Sequence, residues 1–76
     1  MARVFRTVSP EFWMQQIFDV KSARTGGVVR RKLRDVERNV GLARLQAEVE
    51  RRGYHAVLNG EQIIIFCNNE PVRLLC

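Results

Sequence analysis

The chain has 76 residues, of which 46% are hydrophobic and 28% charged, and its net charge is +5. This length fits one small domain over residues 1–76, and the composition is too apolar for a disordered segment. The longest apolar run covers five residues, which excludes a membrane-spanning helix. The N-terminal residues lack the pattern of a signal peptide, so we expect a cytoplasmic protein with no membrane partner.

The first predicted element is a short strand over residues 2–8, in which apolar and polar side chains mix on both faces. A helix start follows, because Ser9 can cap, Pro10 suits the first helical position and Glu11 complements the helix dipole. We predict this helix over residues 10–22. Its wide apolar arc, which suits either the core or a surface for another chain, comprises Trp13, Met14, Ile17, Phe18 and Val20.

A glycine-rich break separates this helix from a second one, predicted over residues 28–40. The second helix has a core stripe on one side, formed by Val29, Leu33, Val36 and Val40. Its opposite face carries four arginines, Arg30, Arg31, Arg34 and Arg38.

Gly41 predicts a turn between the second helix and a third. Leu42, Leu45 and Val49 form a new apolar stripe, which a straight helix through Gly41 would place about 180° from the first stripe. We therefore predict a turn at residues 39–41 and a third helix that ends at residues 51–53. One continuous helix is the alternative.

The rest of the chain predicts strands. Asn59-Gly60 separates runs over residues 54–58 and 61–67, and this dipeptide suits a tight hairpin turn. A second turn at Asn68-Asn69 leads to a strand over residues 70–75, whose Pro71 suits a sheet edge. The predicted fold is α+β: a C-terminal antiparallel meander, three short helices packed on it, and the N-terminal strand at an edge.

A winged helix-turn-helix is the runner-up fold, since three helices and a hairpin are its element order. With Gly41 as the turn glycine, Val36 lies where such motifs carry an apolar residue. Glu37, however, occupies a position that normally holds a small residue. The third helix also balances its arginines with Glu48 and Glu50, and these departures favour the meander.

The two cysteines, Cys67 and Cys76, lie far apart in the predicted meander. Six strand residues correspond to about 20 Å, and a disulfide cannot bridge that distance. We therefore predict a reduced protein with one core cysteine and one terminal cysteine.

The sequence lacks the common catalytic and metal-binding motifs. His55 is the only histidine and is far in sequence from both cysteines, while Ser9 and Ser22 are typical helix-end residues. We therefore expect a non-enzymatic protein with no metal, no cofactor and no small-molecule substrate.

The best functional candidate is the arginine face with the loop in front of it. Arginine forks suit phosphate oxygens, and a glycine loop before a helix can present backbone N–H groups to an anion. The predicted polyanion-binding residues are Arg24, Thr25, Gly26, Gly27, Arg30, Arg31, Arg34 and Arg38. A solvated helix face and a plain connector also explain these residues. We expect a small basic regulatory protein that binds nucleic acid or another polyanion.

The alternative function is a protein-interaction module or inhibitor that uses an apolar sheet face, in one form as a homodimer. Ile63 and Ile65 share one face of the predicted sheet, and Ile64 and Phe66 share the other with Val57. The helices can cover one face, while the second face requires the N-terminal strand or a partner. An open second face would favour this alternative.

Overall fold

A computed structural model describes residues 9–76, which form four helices and one antiparallel sheet. In chain order the elements are α1 Pro10–Asp19, α2 Lys21–Arg24, β1 Val28–Lys32, α3 Leu33–Asn39, α4 Leu42–Arg51, β2 His55–Asn59 and β3 Gln62–Phe66. The strand order is β1-β3-β2. The predicted α+β single domain is therefore confirmed, and the strand predicted over residues 2–8 lies outside the described residues.

The predicted start of α1 is confirmed. The Ser9 hydroxyl accepts a hydrogen bond from the Phe12 N–H at 3.1 Å, and Pro10 follows the cap. The predicted end at residue 22 is wrong, because Val20 is extended (φ −71°, ψ 159°) and separates α1 from α2. The break leaves the Val20 side chain exposed, whereas Ile17 is buried.

The start of the predicted second helix is also wrong, since Val28–Lys32 forms strand β1. This strand pairs with β3, with Val29 opposite Ile65. Two adjacent β-branched residues favour a strand, and the pairing buries Val29 in the core. α3 begins only at Leu33, whose N–H donates to the Glu61 carbonyl at 2.8 Å.

The turn predicted before the third helix is confirmed. Gly41 has φ +94° and precedes α4, a backbone conformation that glycine adopts without steric cost. The N–H groups of Val40 and Gly41 both donate to the Val36 carbonyl, at 2.8 and 2.7 Å. α4 then buries Leu45 and Val49, as its stripe predicts.

The predicted hairpin forms, with a shift of its ends by one residue. Asn59 pairs with Gln62, so the loop is Gly60-Glu61, and Gly60 supplies the positive φ of +62°. This position of glycine is typical of a type II′ rather than a type I′ turn. The shift preserves the predicted faces, because Ile64 lies opposite Val57 and thus on the same face of the sheet.

The strand predicted over residues 70–75 does not form, and the meander is therefore wrong. β1 occupies the place beside β3 that the meander gives to that strand. After Cys67 the chain leaves the sheet: the Asn68 amide donates to the Gly26 carbonyl, and the Glu70 N–H donates to the Asn68 side chain. The order of α3, α4 and the β2–β3 hairpin matches that of a winged helix-turn-helix, the runner-up among the predicted folds.

The helices cover one face of the sheet, hereafter the inner face. The buried residues are Met14, Ile17, Phe18, Ala23, Val29, Val36, Leu45, Val49, Ile63, Ile65 and Cys67, all apolar. The opposite, outer face carries Val28, Val57, Ile64 and Phe66. Val28 and Val57 are 41% and 38% exposed, while Ile64 and Phe66 are half-buried. The outer face is thus only partly covered within residues 9–76.

The predicted core cysteine is confirmed, because Cys67 is buried, whereas Cys76 is exposed and does not follow the predicted strand. Both are free thiols. Among residues 9–76, no helix has the length and apolar character that crossing a bilayer requires.

Candidate polyanion-binding surface

The loop of Thr25, Gly26 and Gly27 does not present free backbone N–H groups. Their N–H groups donate within the chain, to the carbonyls of Lys21, Ala23 and Ser22 respectively. A strand, not a helix, follows the loop, so the predicted helix N-terminus is absent there. The prediction of free N–H groups at a helix N-terminus is therefore wrong, and the loop connects α2 to the sheet.

Other polar groups of the loop also have partners within the chain. The Thr25 hydroxyl donates to the Lys21 carbonyl at 3.0 Å, and the Gly27 carbonyl accepts from the Cys67 N–H at 2.8 Å. Gly27 approaches Ser22 so closely that an added Cβ would lie 3.0 Å from its carbonyl oxygen. The close approach to Ser22 therefore accounts for Gly27, and a φ of +80° accounts for Gly26.

The predicted arginines do not share one helix face. Arg30 and Arg31 lie on β1, opposite Ile64 and Ile63, and so point to opposite faces of the sheet. Arg34 lies in the first turn of α3. Arg38 lies one turn later on the same side of that helix.

The structure nevertheless brings four cations together where β1 ends and α3 begins. These residues, hereafter the basic cluster, are Arg30, Arg31, Lys32 and Arg34. They line one shallow depression with Glu61 and Gln62 of the β2–β3 hairpin. The predicted site omits Lys32, although the run of four cations within five residues is visible in the sequence.

The basic cluster differs from the other arginines in its ion pairs. Arg24 pairs with Asp19 at 4.0 Å, and Arg44 with Glu11 at 3.8 Å. Arg51 and Arg52 both pair with Glu48, at 2.7 and 2.6 Å. Within residues 9–76, no carboxylate lies within 4.0 Å of a cation of the basic cluster. Outside the cluster, Lys21, Arg38 and Arg73 also lack a carboxylate of residues 9–76 within this distance.

The α4 surface is electrostatically balanced, in contrast to the basic cluster. Two hydrogen bonds from Arg51, reinforced by one from Arg52, lower the pKa of Glu48 to about 2. The Arg52 guanidinium also lies 4.2 Å from the centre of the Phe18 ring. These arginines are therefore occupied by intramolecular contacts, which leaves the basic cluster as the main concentration of cations without a carboxylate partner within residues 9–76.

No group of three or more potential metal ligands occurs within residues 9–76. Comparison of the chain with protein-family models, with curated proteins and with solved structures gave no match.

Proposed function

We propose that this domain is a small non-enzymatic binding protein whose basic cluster contacts the phosphates of a nucleic acid. The observation that carries this proposal is the grouping of four cations without carboxylate partners in one depression. Arg31 donates one hydrogen bond within the chain, from Nη1 to the Arg30 carbonyl at 2.6 Å. The other guanidinium donors of the cluster make no ion pair with a carboxylate of residues 9–76, and arginine forks fit phosphate oxygens in pairs.

Two features favour a nucleic acid over other polyanions. The first is the element order of α3, α4 and the hairpin, since a helix-turn-helix places a helix where it can enter the major groove. The second is the exposed side of α4, which presents Gln46 beside Ala43 and Ala47. Such polar side chains can contact base edges, while phosphate contacts fall to the basic cluster. Arg38 extends the cationic surface along α3.

The test compares two double charge reversals that alter net charge equally. The variant Arg30→Glu/Arg34→Glu changes the cluster, and Lys21→Glu/Arg73→Glu changes exposed cations outside it. Each variant replaces two cations by two acids, so its net charge falls by four, from +5 to +1. Binding of a short DNA duplex is measured by fluorescence anisotropy at fixed salt.

We expect the cluster variant to lose at least about tenfold in affinity, because each lost phosphate contact weakens binding of all sequences alike. The control variant is expected to change affinity far less, since Lys21 and Arg73 lie outside the cluster. Equal losses in the two variants would contradict the proposal, because they would reflect net charge alone. Unchanged binding in the cluster variant would contradict it as well.

A second candidate function is a protein-interaction module, and the exposed apolar residues of the outer face favour it. Val28 and Val57 are 41% and 38% exposed. Burial of this surface by a partner would give a complex that is insensitive to salt. Light scattering at low and high salt therefore separates this candidate from nucleic-acid binding.

A further inference from the structure

Strand β2 forms one edge of the sheet within residues 9–76, since the strand order is β1-β3-β2. Its residues Ala56, Val57, Leu58 and Asn59 are exposed. An edge strand carries a row of backbone N–H and C=O groups without sheet partners, and natural edges commonly have charges, prolines or bulges that prevent further pairing. β2 has none of these devices, because it reads His-Ala-Val-Leu-Asn.

The other edge of the sheet is different. β1 carries Arg30, Arg31 and Lys32 within five residues. Pairing of two β1 strands around a two-fold axis would bring like charges together, which destabilises a sheet. Charge therefore permits self-association at β2 and opposes it at β1.

The backbone of β2 also has a self-complementary register. Asn59 and Gln62 flank the two-residue loop and form a hydrogen-bonded pair, so the backbone groups of Asn59 point toward β3. Successive residues of a strand direct their N–H and C=O groups to opposite sides, and those of Ala56 and Leu58 therefore point away from β3. A two-fold axis at Val57 places Ala56 of one copy opposite Leu58 of the other. The outward groups of both residues then meet as hydrogen-bonded pairs.

We propose that two copies of this chain associate through antiparallel β2–β2 pairing centred on Val57, which joins their sheets into one of six strands. The two Val57 side chains meet on the outer face, and each Leu58 packs against Ala56 of the other copy. The proposal rests on the interaction candidate, since it names a second copy as the partner. It is independent of polyanion binding by the basic cluster.

The first test measures molar mass against protein concentration by light scattering coupled to gel filtration, in a Cys76→Ser background that prevents terminal disulfides. Val57→Lys places two like charges opposite each other and is expected to raise the dimer dissociation constant at least about tenfold. Val28→Lys is the matched control, because Val28 lies on the same face with similar exposure but on β1. Circular dichroism checks that both variants fold.

The second test is a disulfide at the two-fold axis. Directly opposed residues of a non-hydrogen-bonded pair have Cα atoms about 4.5 Å apart, within the range that a disulfide accepts. Val57→Cys in the same background should therefore form a covalent dimer on mild oxidation. Val28→Cys should not, because five strand spacings, about 24 Å, separate the two β1 strands in the proposed dimer.

A monomer at every concentration overturns the inference. Equal weakening of the dimer by Val28→Lys and Val57→Lys overturns the proposed β2–β2 pairing, because it indicates association through the outer face. The protein-interaction function would still stand in that case. Loss of the dimer on removal of residues 70–76 also overturns it, because the exposed Leu74 and Leu75 would then be the contact. A dimer that only Val57→Lys weakens supports the inference.

Discussion

At the scale of single residues, the two cysteines differ in reactivity because their surroundings differ. Burial raises the pKa of the Cys67 thiol, and only the thiolate reacts with disulfide reagents. Cys76 is exposed. We predict that Ellman's reagent modifies one thiol rapidly at pH 8 and the other only after unfolding. Rapid reaction of two thiols in the folded protein would contradict this account of the core.

Gly41 is a second position where one residue determines local structure. Its φ of +94° is unfavourable for any residue with a Cβ, although no atom within 4 Å opposes a Cβ there. We predict that Gly41→Ala lowers the free energy of unfolding by about 1 kcal/mol. For a domain of this size the melting temperature should fall by about 4–8 °C, and an unchanged melting temperature would contradict the assignment of the turn.

At the scale of elements, the end of α4 is stabilised by the contacts of Glu48 with Arg51 and Arg52. The pKa of Glu48, about 2, lies below the ordinary value of 4.5. A lowered folded-state pKa stabilises the protein fully above pH 4.5, and this stabilisation is lost as the pH falls from about 4.5 to about 2.

We therefore predict that Glu48→Gln lowers stability at pH 7 by about 1 kcal/mol. The difference from the wild type should disappear as the pH approaches 2. Urea unfolding at several pH values measures it, and Glu50→Gln, at an exposed position of the same helix, is the control. A pH-independent difference would show that the contacts of Glu48 do not depend on its charge.

The accuracy of the sequence predictions also differs between elements. Caps and glycines are local signals, so the start of α1, the turn at Gly41 and the end of α4 were predictable. The strand β1 was not, because its formation depends on pairing with β3 more than 30 residues later, and Val29 also fits a helical stripe. The core membership of Val29 was thus predicted correctly within the wrong element.

The same limit applies to the candidate site. The arginines were identifiable from composition, but their arrangement depended on the element that carries Arg30 and Arg31. The prediction for the glycine loop depends on a helix after it, whereas strand β1 follows. The absence of ion pairs around the basic cluster depends on tertiary structure and cannot be read from the sequence.

At the scale of the whole molecule, the fold separates two surfaces. The basic cluster lies where β1 meets α3, whereas the uncharged edge of β2 lies on the other side of β3. A dimer through β2 would therefore leave both basic clusters accessible. Two linked clusters bind one polyanion more tightly than a single cluster where the geometry permits simultaneous contact.

The most direct test of the account is the salt dependence of DNA binding by the wild-type protein. Contacts by the four cations of the basic cluster predict a slope of about −3.6 in a plot of log K against log salt concentration. Replacement of Arg30 and Arg34 by glutamine should reduce its magnitude by about 2. A slope near zero, or one that this replacement does not change, would contradict phosphate binding by the cluster.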